Sequence, residues 1–557
     1  MGYLLKYIVQ TLPLYCVVLA VIYIVGASVN KMLNIFSARH GSIVETVFYN
    51  CFVGLTSIFM LYAIVMAKGI SVFSPLLVLL TVYYLFIGKK GTAQDVQLSP
   101  IKSSSDYIAI AAVVLLCYAW AFFLAMPNDV SGVIHTYYDY SYYANTSEGM
   151  ARNGVEYSKQ AMYQFEDFRG SFLYHYPDMW LNALLVNVAH VGSMPALMYV
   201  VYPVFMLIAF TGCVVLAKTV ADGRISTSML YLIVLAVLGG ALLAKDSIIA
   251  KNLLPGMGSG IDQYLFHWLD KKMLVIYIVA TIALLHIIKQ NYEAFFAAML
   301  AGMYLYATVV PSVAGGLACV LAILFFFNKQ VSIRRAIILG TMYVVALVTI
   351  VLFDKYTSVY PRPALDVAGI PSIKSLVILV VEFCIKIAVG ALPVIAALFV
   401  LWFANGKKLA AYMYYLLIFL VGACGATALF ISLNHNVTDI NQALYTSIPV
   451  YVSLFALLVF VKLLTSIKQK PMQLGLILIL TLSTGVKMFS NVKDSDDLVK
   501  YNYDALFEAA VLKTVAADTN AKIVVLSNDD THNRWYYHFN TVGSFTGQAP
   551  HIGEPLY

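Results

Sequence analysis

The chain has 557 residues, 61% of them hydrophobic and only 11% charged, against roughly 25% charged in soluble domains. That balance and a mean hydropathy of +0.82 exclude a water-soluble globule. The formal charge of +7 is accounted for by basic loops between apolar segments and does not point to nucleic acid.

Segments of about 18 to 25 apolar residues can cross a hydrocarbon core of about 30 Å as helices. They recur at about 7–28, 44–66, 70–88, 106–126, 195–217, 226–244, 271–289, 292–308, 311–328, 336–353, 377–404, 409–432, 444–465 and 472–490. The expected fold is therefore an all-α polytopic membrane protein of about fourteen spans, within a range of twelve to fifteen. Val25-Gly26-Ala27-Ser28 is a poor cleavage site, so the first segment reads as a span rather than a signal peptide. Three regions are expected: N-terminal helices over 1–105, a transmembrane module over 106–490 interrupted by a polar loop at 127–194, and a C-terminal appendage over 491–557.

Basic residues orient these spans. Lys31 and Arg39, Lys89, Lys90 and Lys102, Lys218 and Arg224, Lys329, Arg334 and Arg335, Lys407 and Lys408, and Lys468 and Lys470 all fall on one side of a fourteen-span chain. Basic loops resist translocation, so this side is expected to be cytoplasmic. The assignment requires 179–192 to lie along the surface, because counting it as a span would export Lys329, Arg334 and Arg335. The seven cysteines fall within expected spans without metal-ligand spacing, and no phosphate-cradling glycine loop faces the cytoplasm.

The interruption at 127–194 carries the chemistry. From Asp139, Tyr140, Tyr143, Ala144, Ser147, Met150 and Ala151 share one helical face, and Ser141, Asn145, Glu148 and Arg152 share the other. This predicts a short interfacial helix ended by Asn153-Gly154. Asp139 at its start has two readings: a helix cap, or a general base that takes a proton from an acceptor hydroxyl or amine. Downstream, Trp180, Leu181, Leu184, Leu185 and Val188 recur at helical spacing after Tyr174-His175-Tyr176-Pro177-Asp178, predicting a second helix in the interface with its Trp at headgroup depth. His175 and Asp178 are candidates for orienting a donor phosphate or an acceptor, against an ordinary interfacial hydrogen-bonder and a cap. Glu166-Asp167 reads as a solvated turn.

A span, an external loop whose acidic residue opens an amphipathic helix, and a Tyr-Pro-x-x-Trp-Leu juxtamembrane helix together resemble the GT-C superfamily of polyprenyl-phosphate-sugar-dependent glycosyltransferases. Its members include protein O-mannosyltransferases and the lipid A aminoarabinose transferase. The resemblance rests on Asp139, Tyr142, Tyr143 and Gly154, and on Tyr176, Pro177, Trp180 and Leu181, over roughly residues 106–224. It implies a GT-C-like fold with Asp139 as the catalytic acidic residue; Tyr142, Tyr143, His175, Tyr176 and Asp178 are the candidates in this loop for binding the substrates. The chain departs from the superfamily pattern in two ways. Tyr140 follows Asp139 where relatives often pair two acids, and three spans precede the loop where relatives often have one. Divalent-metal coordination is therefore unsupported, since one carboxylate does not make a metal site.

Later segments add candidates. Arg362, in an external loop with Lys355 and Lys374, suits bidentate phosphate binding, and anchoring at the interface is the alternative. Glu382 and Lys386 lie four residues apart in an apolar helix, where either an ion pair or a Lys386 contact with a lipid phosphate is expected. His435, Asp439 and Gln442 form a polar cluster suited to sugar hydroxyls. The tail contains a helix-like run over 504–518 and a strand-like Lys522–Ser527, a small α/β-like appendage. The expected partners are a lipid-linked sugar donor, an extracytoplasmic acceptor and the bilayer, in a bacterial inner membrane. A secondary transporter or lipid-linked sugar flippase, and an enzyme resembling O-antigen ligases or polymerases, are the competing readings.

Overall fold

The computed structural model describes residues 2–33, 42–86, 104–125, 138–154, 156, 174, 176–238, 271–326, 332–357, nine positions between 374 and 391, 392–404, 406, 408–433, 442–467, 469–493, 524–525 and 551–552. The helices in chain order begin with α1 (Gly2–Leu33), α2 (Ile43–Met66), α3 (Phe73–Phe86) and α4 (Ser104–Leu124). Two short helices follow, α5 (Tyr138–Asn153) and α6 (Pro177–Ala189). After them come α7 (Ser193–Ala221), α8 (Thr227–Leu238), α9 (Lys271–Ile288), α10 (Tyr292–Leu305) and α11 (Val310–Phe326). The last are α12 (Ile333–Thr357), α13 (Leu392–Ala404), α14 (Ala411–Leu433), α15 (Gln442–Ser466) and α16 (Lys470–Lys493).

The chain is a helical, polytopic membrane protein. Among the described residues, eight helices are long and apolar enough to cross a bilayer, namely α1, α2, α4, α7, α11, α12, α14 and α15. Every other expected span also contains a helix, but its apolar stretch is only 10–17 residues long. Among the described residues, length and composition thus mark eight helices as long enough to cross, and the count of about fourteen stays an expectation.

Contacts between helix ends sort the molecule into two faces. On the first, the Tyr84 hydroxyl at the end of α3 donates to Leu33 O at 2.5 Å, and Lys218 at the end of α7 lies 3.9 Å from Asp106 at the start of α4. Lys462 near the end of α15 pairs with Asp222 at 3.2 Å, and Arg335 pairs with Glu293 at 3.1 Å. On the opposite face, Lys68 N after α2 donates to Gly154 O at 2.7 Å, and the Tyr199 hydroxyl donates to Ala125 O after α4. There too Ala307 N after α10 donates to Tyr174 O at 3.3 Å, and Thr308 meets Thr446 at 2.9 Å. The grouping alternates along the chain and collects Lys218 and Arg335 on one face, as the charge pattern predicts, with Lys462 beside them.

In this arrangement α6 does not cross. Its first turn and its last both touch Tyr62, near the end of α2, through the Trp180 ring and the Asn187 amide. At 13 residues α6 is also shorter than a span requires, which accords with the expected surface placement of 179–192.

The bundle is centred on α7, buried along its entire apolar window, with α15 nearly so. The outer helices instead leave apolar side chains such as Val9, Val21, Val65 and Val351 exposed. Small residues bring helices together. An ideal Cβ on Gly26 of α1 would lie 1.7 Å from Asn50 O, and one on Gly54 of α2 would lie 1.8 Å from Ile22 O. Gly315 of α11 and Gly422 of α14 face each other in the same way. Lipid tails are as apolar as leucine, so close packing and interhelical hydrogen bonds supply the association. In the tail, Val524–Val525 pairs in parallel with His551–Ile552. The run 504–518 lies outside the described residues.

Candidate functional site

The polar interruption folds as two short helices on the face opposite Lys218, Arg335 and Lys462. Helix α5 begins at Tyr138, placing Asp139 in its first turn. It stops where Asn153-Gly154 predicts: Gly154 has φ +65°, and its N–H donates to Met150 O at 2.9 Å. A left-handed residue closes the helix cheaply only as glycine. The space also demands glycine, since an ideal Cβ there would lie 2.2 Å from Met66 O.

The predicted inner face holds, with Tyr143, Ala144, Ser147, Met150 and Ala151 buried and Tyr140 partly so. The predicted outer face does not. Glu148 is buried as well, ion-paired with Arg152 at 3.1 Å, while the Arg152 side chain is 51% exposed. Burial raises the Glu148 carboxyl above the usual glutamate range, and the Arg152 charge and hydrogen bond oppose that rise. The reason is that α5 is enclosed by α6 and the start of α7 rather than laid on a surface.

Helix α6 starts at Pro177, whose fixed φ and missing N–H suit the first helical position. Tyr176 is the N-cap residue, and Asp178 lies in the first turn, where the partial positive charge of the helix end favours a carboxylate. Asp178 therefore does not cap the helix. The expected exposure pattern also needs correction: Trp180 is fully buried in the protein, and Val188, predicted on the apolar stripe, is 70% exposed. The first half of α6 is enclosed on every side, including Asp178 and Asn182. Tertiary contacts from α2, α5 and α7 override the helical periodicity there.

The junction is organised by a residue that sequence reading passed over. Glu156, two residues beyond the α5 stop and 1% exposed, accepts three hydrogen bonds. The Ser71 hydroxyl donates at 2.6 Å, Val72 N at 2.7 Å and Trp180 Nε1 at 2.8 Å. Its carboxylate thus joins the α2–α3 turn to the first turn of α6. The signal in sequence was a lone glutamate after Asn-Gly; its donors lie 84, 85 and 24 positions away. Asn187 completes the junction by donating to the Tyr62 hydroxyl at 2.6 Å and Ala151 O at 3.1 Å.

Tyrosines face one another around this wedge. Tyr140 packs edge-on against Tyr143 and Tyr202 at 6.5 and 6.0 Å, and Tyr174 against Tyr176 at 5.8 Å. Of the predicted site residues, Tyr143, Tyr176 and Asp178 are therefore gathered into one buried junction with α5. Asp139 and Tyr142 are placed on α5, and Gln442 opens α15, by backbone only. His175, Arg362, Lys386, His435 and Asp439 lie outside the described residues, as do Glu382 and Glu166-Asp167. Among the described residues no group of three or more His, Cys, Asp or Glu has the arrangement of a metal site.

No protein-family model matches the chain, and no curated protein matches it in sequence. Among solved structures, the chain is similar to ArnT from Cupriavidus metallidurans bound to undecaprenyl phosphate. The likeness has 13% identity and a TM-score of 0.38, and it covers 80% of this chain and 75% of that one.

What the arrangement can do follows from its position and polarity. It places an acid-bearing helix start and an aromatic, hydroxyl-rich junction between membrane spans at one face of the bundle. The charges of that junction are already engaged by fixed donors such as the Trp180 indole. Such a platform holds backbone and side chains in one geometry, which a site that must orient two reactants requires.

Proposed function

We propose that the protein transfers a sugar from a polyprenyl-phosphate donor to an acceptor on the extracytoplasmic face of the membrane, with Asp139 as general base. The observation that carries this reading is the wedge of α5 and α6. It is built on the face opposite Lys218, Arg335 and Lys462, and α5, which carries Asp139 in its first turn, is fastened to the end of α2 and to α6 by the Lys68–Gly154 and Asn187–Ala151 hydrogen bonds. With the basic face in the cytoplasm, the wedge meets substrates that arrive in the outer leaflet, already activated, without a cytoplasmic nucleotide.

In the transfer, an acceptor oxygen or nitrogen attacks the anomeric carbon while Asp139 takes its proton. The bond from that carbon to the lipid phosphate breaks, and its electron pair leaves with the polyprenyl phosphate. Arg362 and Lys386 are the cations proposed to meet the charge developing on the leaving phosphate. Tyr142, Tyr143, His175, Tyr176 and Asp178 are proposed to orient the substrates from the wedge, and His435, Asp439 and Gln442 from the loop before α15. A single displacement inverts the anomeric centre. The ion pairs described at helix ends lie together on the opposite face, an arrangement that favours a surface reaction over the mid-membrane charges of a transporter pathway.

The test is transfer of radiolabelled sugar from a panel of polyprenyl-phosphate sugars in proteoliposomes, comparing the native protein with Asp139→Asn. Transfer by the native protein that is lost in a folded, donor-binding Asp139→Asn supports the reading. Equal transfer by both removes Asp139 from the chemistry, and donor movement across the bilayer without transfer identifies a flippase.

A further inference from the structure

We propose that Glu156 is a positioning residue for this reaction: by tying the α2–α3 turn and α6 to the trailing end of α5, it fixes the leading turn in which Asp139 lies. The inference rests on the sugar-transfer reading above and names a residue that reading does not use.

The donors approach Glu156 from two directions. Ser71 and Val72 reach it from the α2–α3 turn, and Trp180 from α6, while Glu156 itself follows α5 by two residues beyond Gly154. The adjoining bond from Lys68 N to Gly154 O, at 2.7 Å, fastens the same end of α5 to the same turn. These three groups donate to both carboxylate oxygens, Ser71 and Trp180 to one and Val72 N to the other, so each oxygen serves as an acceptor. Trp180 has no other polar group to offer, because an indole is a donor only.

The geometry makes this end of α5 a lever. Sixteen residues at about 1.5 Å each give a rod of about 24 Å. A tilt of about 2–3° at the Glu156 end therefore displaces the first turn by about 1 Å, and a misplacement of that size costs a reacting group roughly 100-fold in rate. Anchoring at the far end of a rigid helix thus matters to chemistry at the near end without Glu156 touching either substrate.

Glu156→Gln preserves shape but replaces one acceptor oxygen by an NH2, which meets a donor where it needs an acceptor. The expected result is a 10- to 100-fold lower kcat with a donor KM within about threefold of native. Trp180→Phe removes one of the three donors and keeps an aromatic ring; it should lower kcat less. The double variant should be no slower than Glu156→Gln alone, since both substitutions break the same junction. Hydrogen exchange read over 138–153 should accelerate in Glu156→Gln, and this readout does not depend on activity.

An unchanged kcat in folded Glu156→Gln, or effects of the two substitutions that multiply, overturns the positioning role. Unchanged exchange over α5 overturns the anchoring on which the role depends. If the native protein transfers no sugar, the sugar-transfer reading fails and the catalytic consequence with it, while exchange still decides whether Glu156 holds α5 in place. A Glu156→Gln protein that does not fold is replaced by Ser71→Ala, which removes the 2.6 Å donor alone and should show the same kcat-selective loss at smaller size.

Discussion

Replacing Gly154 by alanine isolates the docking of α5 from the general cost of a left-handed backbone. Two glycines serve as a matched pair: Gly154 has φ +65° with Met66 O 2.2 Å from an ideal Cβ, and Gly223 has φ +72° with nothing within 4 Å. Alanine in the left-handed region costs about 1–2 kcal/mol, partly offset by about 0.4–1 kcal/mol from the stiffer unfolded chain, so Gly223→Ala should lose roughly 0.5–1 kcal/mol. At Gly154 the same strain is joined by two further terms. The carbonyl at the end of α2 must retreat by about 1 Å, an overpacking cost of about 1–3 kcal/mol, and the Lys68 N to Gly154 O hydrogen bond is lost, at about 1 kcal/mol. The expected excess of Gly154→Ala over Gly223→Ala is therefore roughly 2–4 kcal/mol. Unfolding midpoints in mixed micelles measure it, with limited proteolysis after α5 as a local probe. An excess under about 0.5 kcal/mol would refute the reasoning, because it would mean that α5 is not held against α2 as described.

Further expectations follow from the helix contacts and charges. Gly54→Val should separate α1 from α2, since even a Cβ there meets Ile22 O at 1.8 Å; a midpoint shift of at least about 2 kcal/mol is expected, and native-like stability would count against the tight crossing. Glu148 has its folded-state pKa raised, mainly by burial, so its contribution to stability is present in acid, below the ordinary glutamate pKa of about 4.3, and is lost as pH rises through the raised value. Glu148→Gln should accordingly flatten the pH dependence of unfolding across that window and leave the neutral-pH protein at least as stable. Steeper loss for the variant at neutral pH would show that the Arg152 pair outweighs burial. Lys68→Cys and Ser226→Cys, both at exposed positions, should react with an impermeant maleimide from opposite sides of the membrane, and labelling of both from one side would break the two-face arrangement.

The features legible in the sequence were those written locally. Hydropathy over windows of about twenty residues marks helices such as α2 and α15 because the bilayer itself imposes the length. Asn153-Gly154 marks the end of α5 because only a few residues accept a positive φ, and Pro177 marks the start of α6 because it needs no hydrogen-bond acceptor for its nitrogen. The bias of lysine and arginine between spans predicts that α6 does not cross, and its 13 residues are too few to span a bilayer.

Burial and partnership were settled elsewhere. A helical stripe states which side chains share a face, not whether the other face is also covered, so Glu148 and Trp180 were read as interfacial although neighbouring helices enclose them. Glu156 looked like any loop glutamate, because its meaning lies in Ser71 and Val72, 85 and 84 residues earlier in the chain. Gly26 and Gly54 likewise became crossing points only when α1 and α2 were brought together. The sequence by itself determined the helices and their ends, since solvent and backbone sterics act on neighbouring residues. Which polar groups meet was decided only by the tertiary structure, because a hydrogen bond between distant segments exists only once packing has paid the entropy of bringing them together.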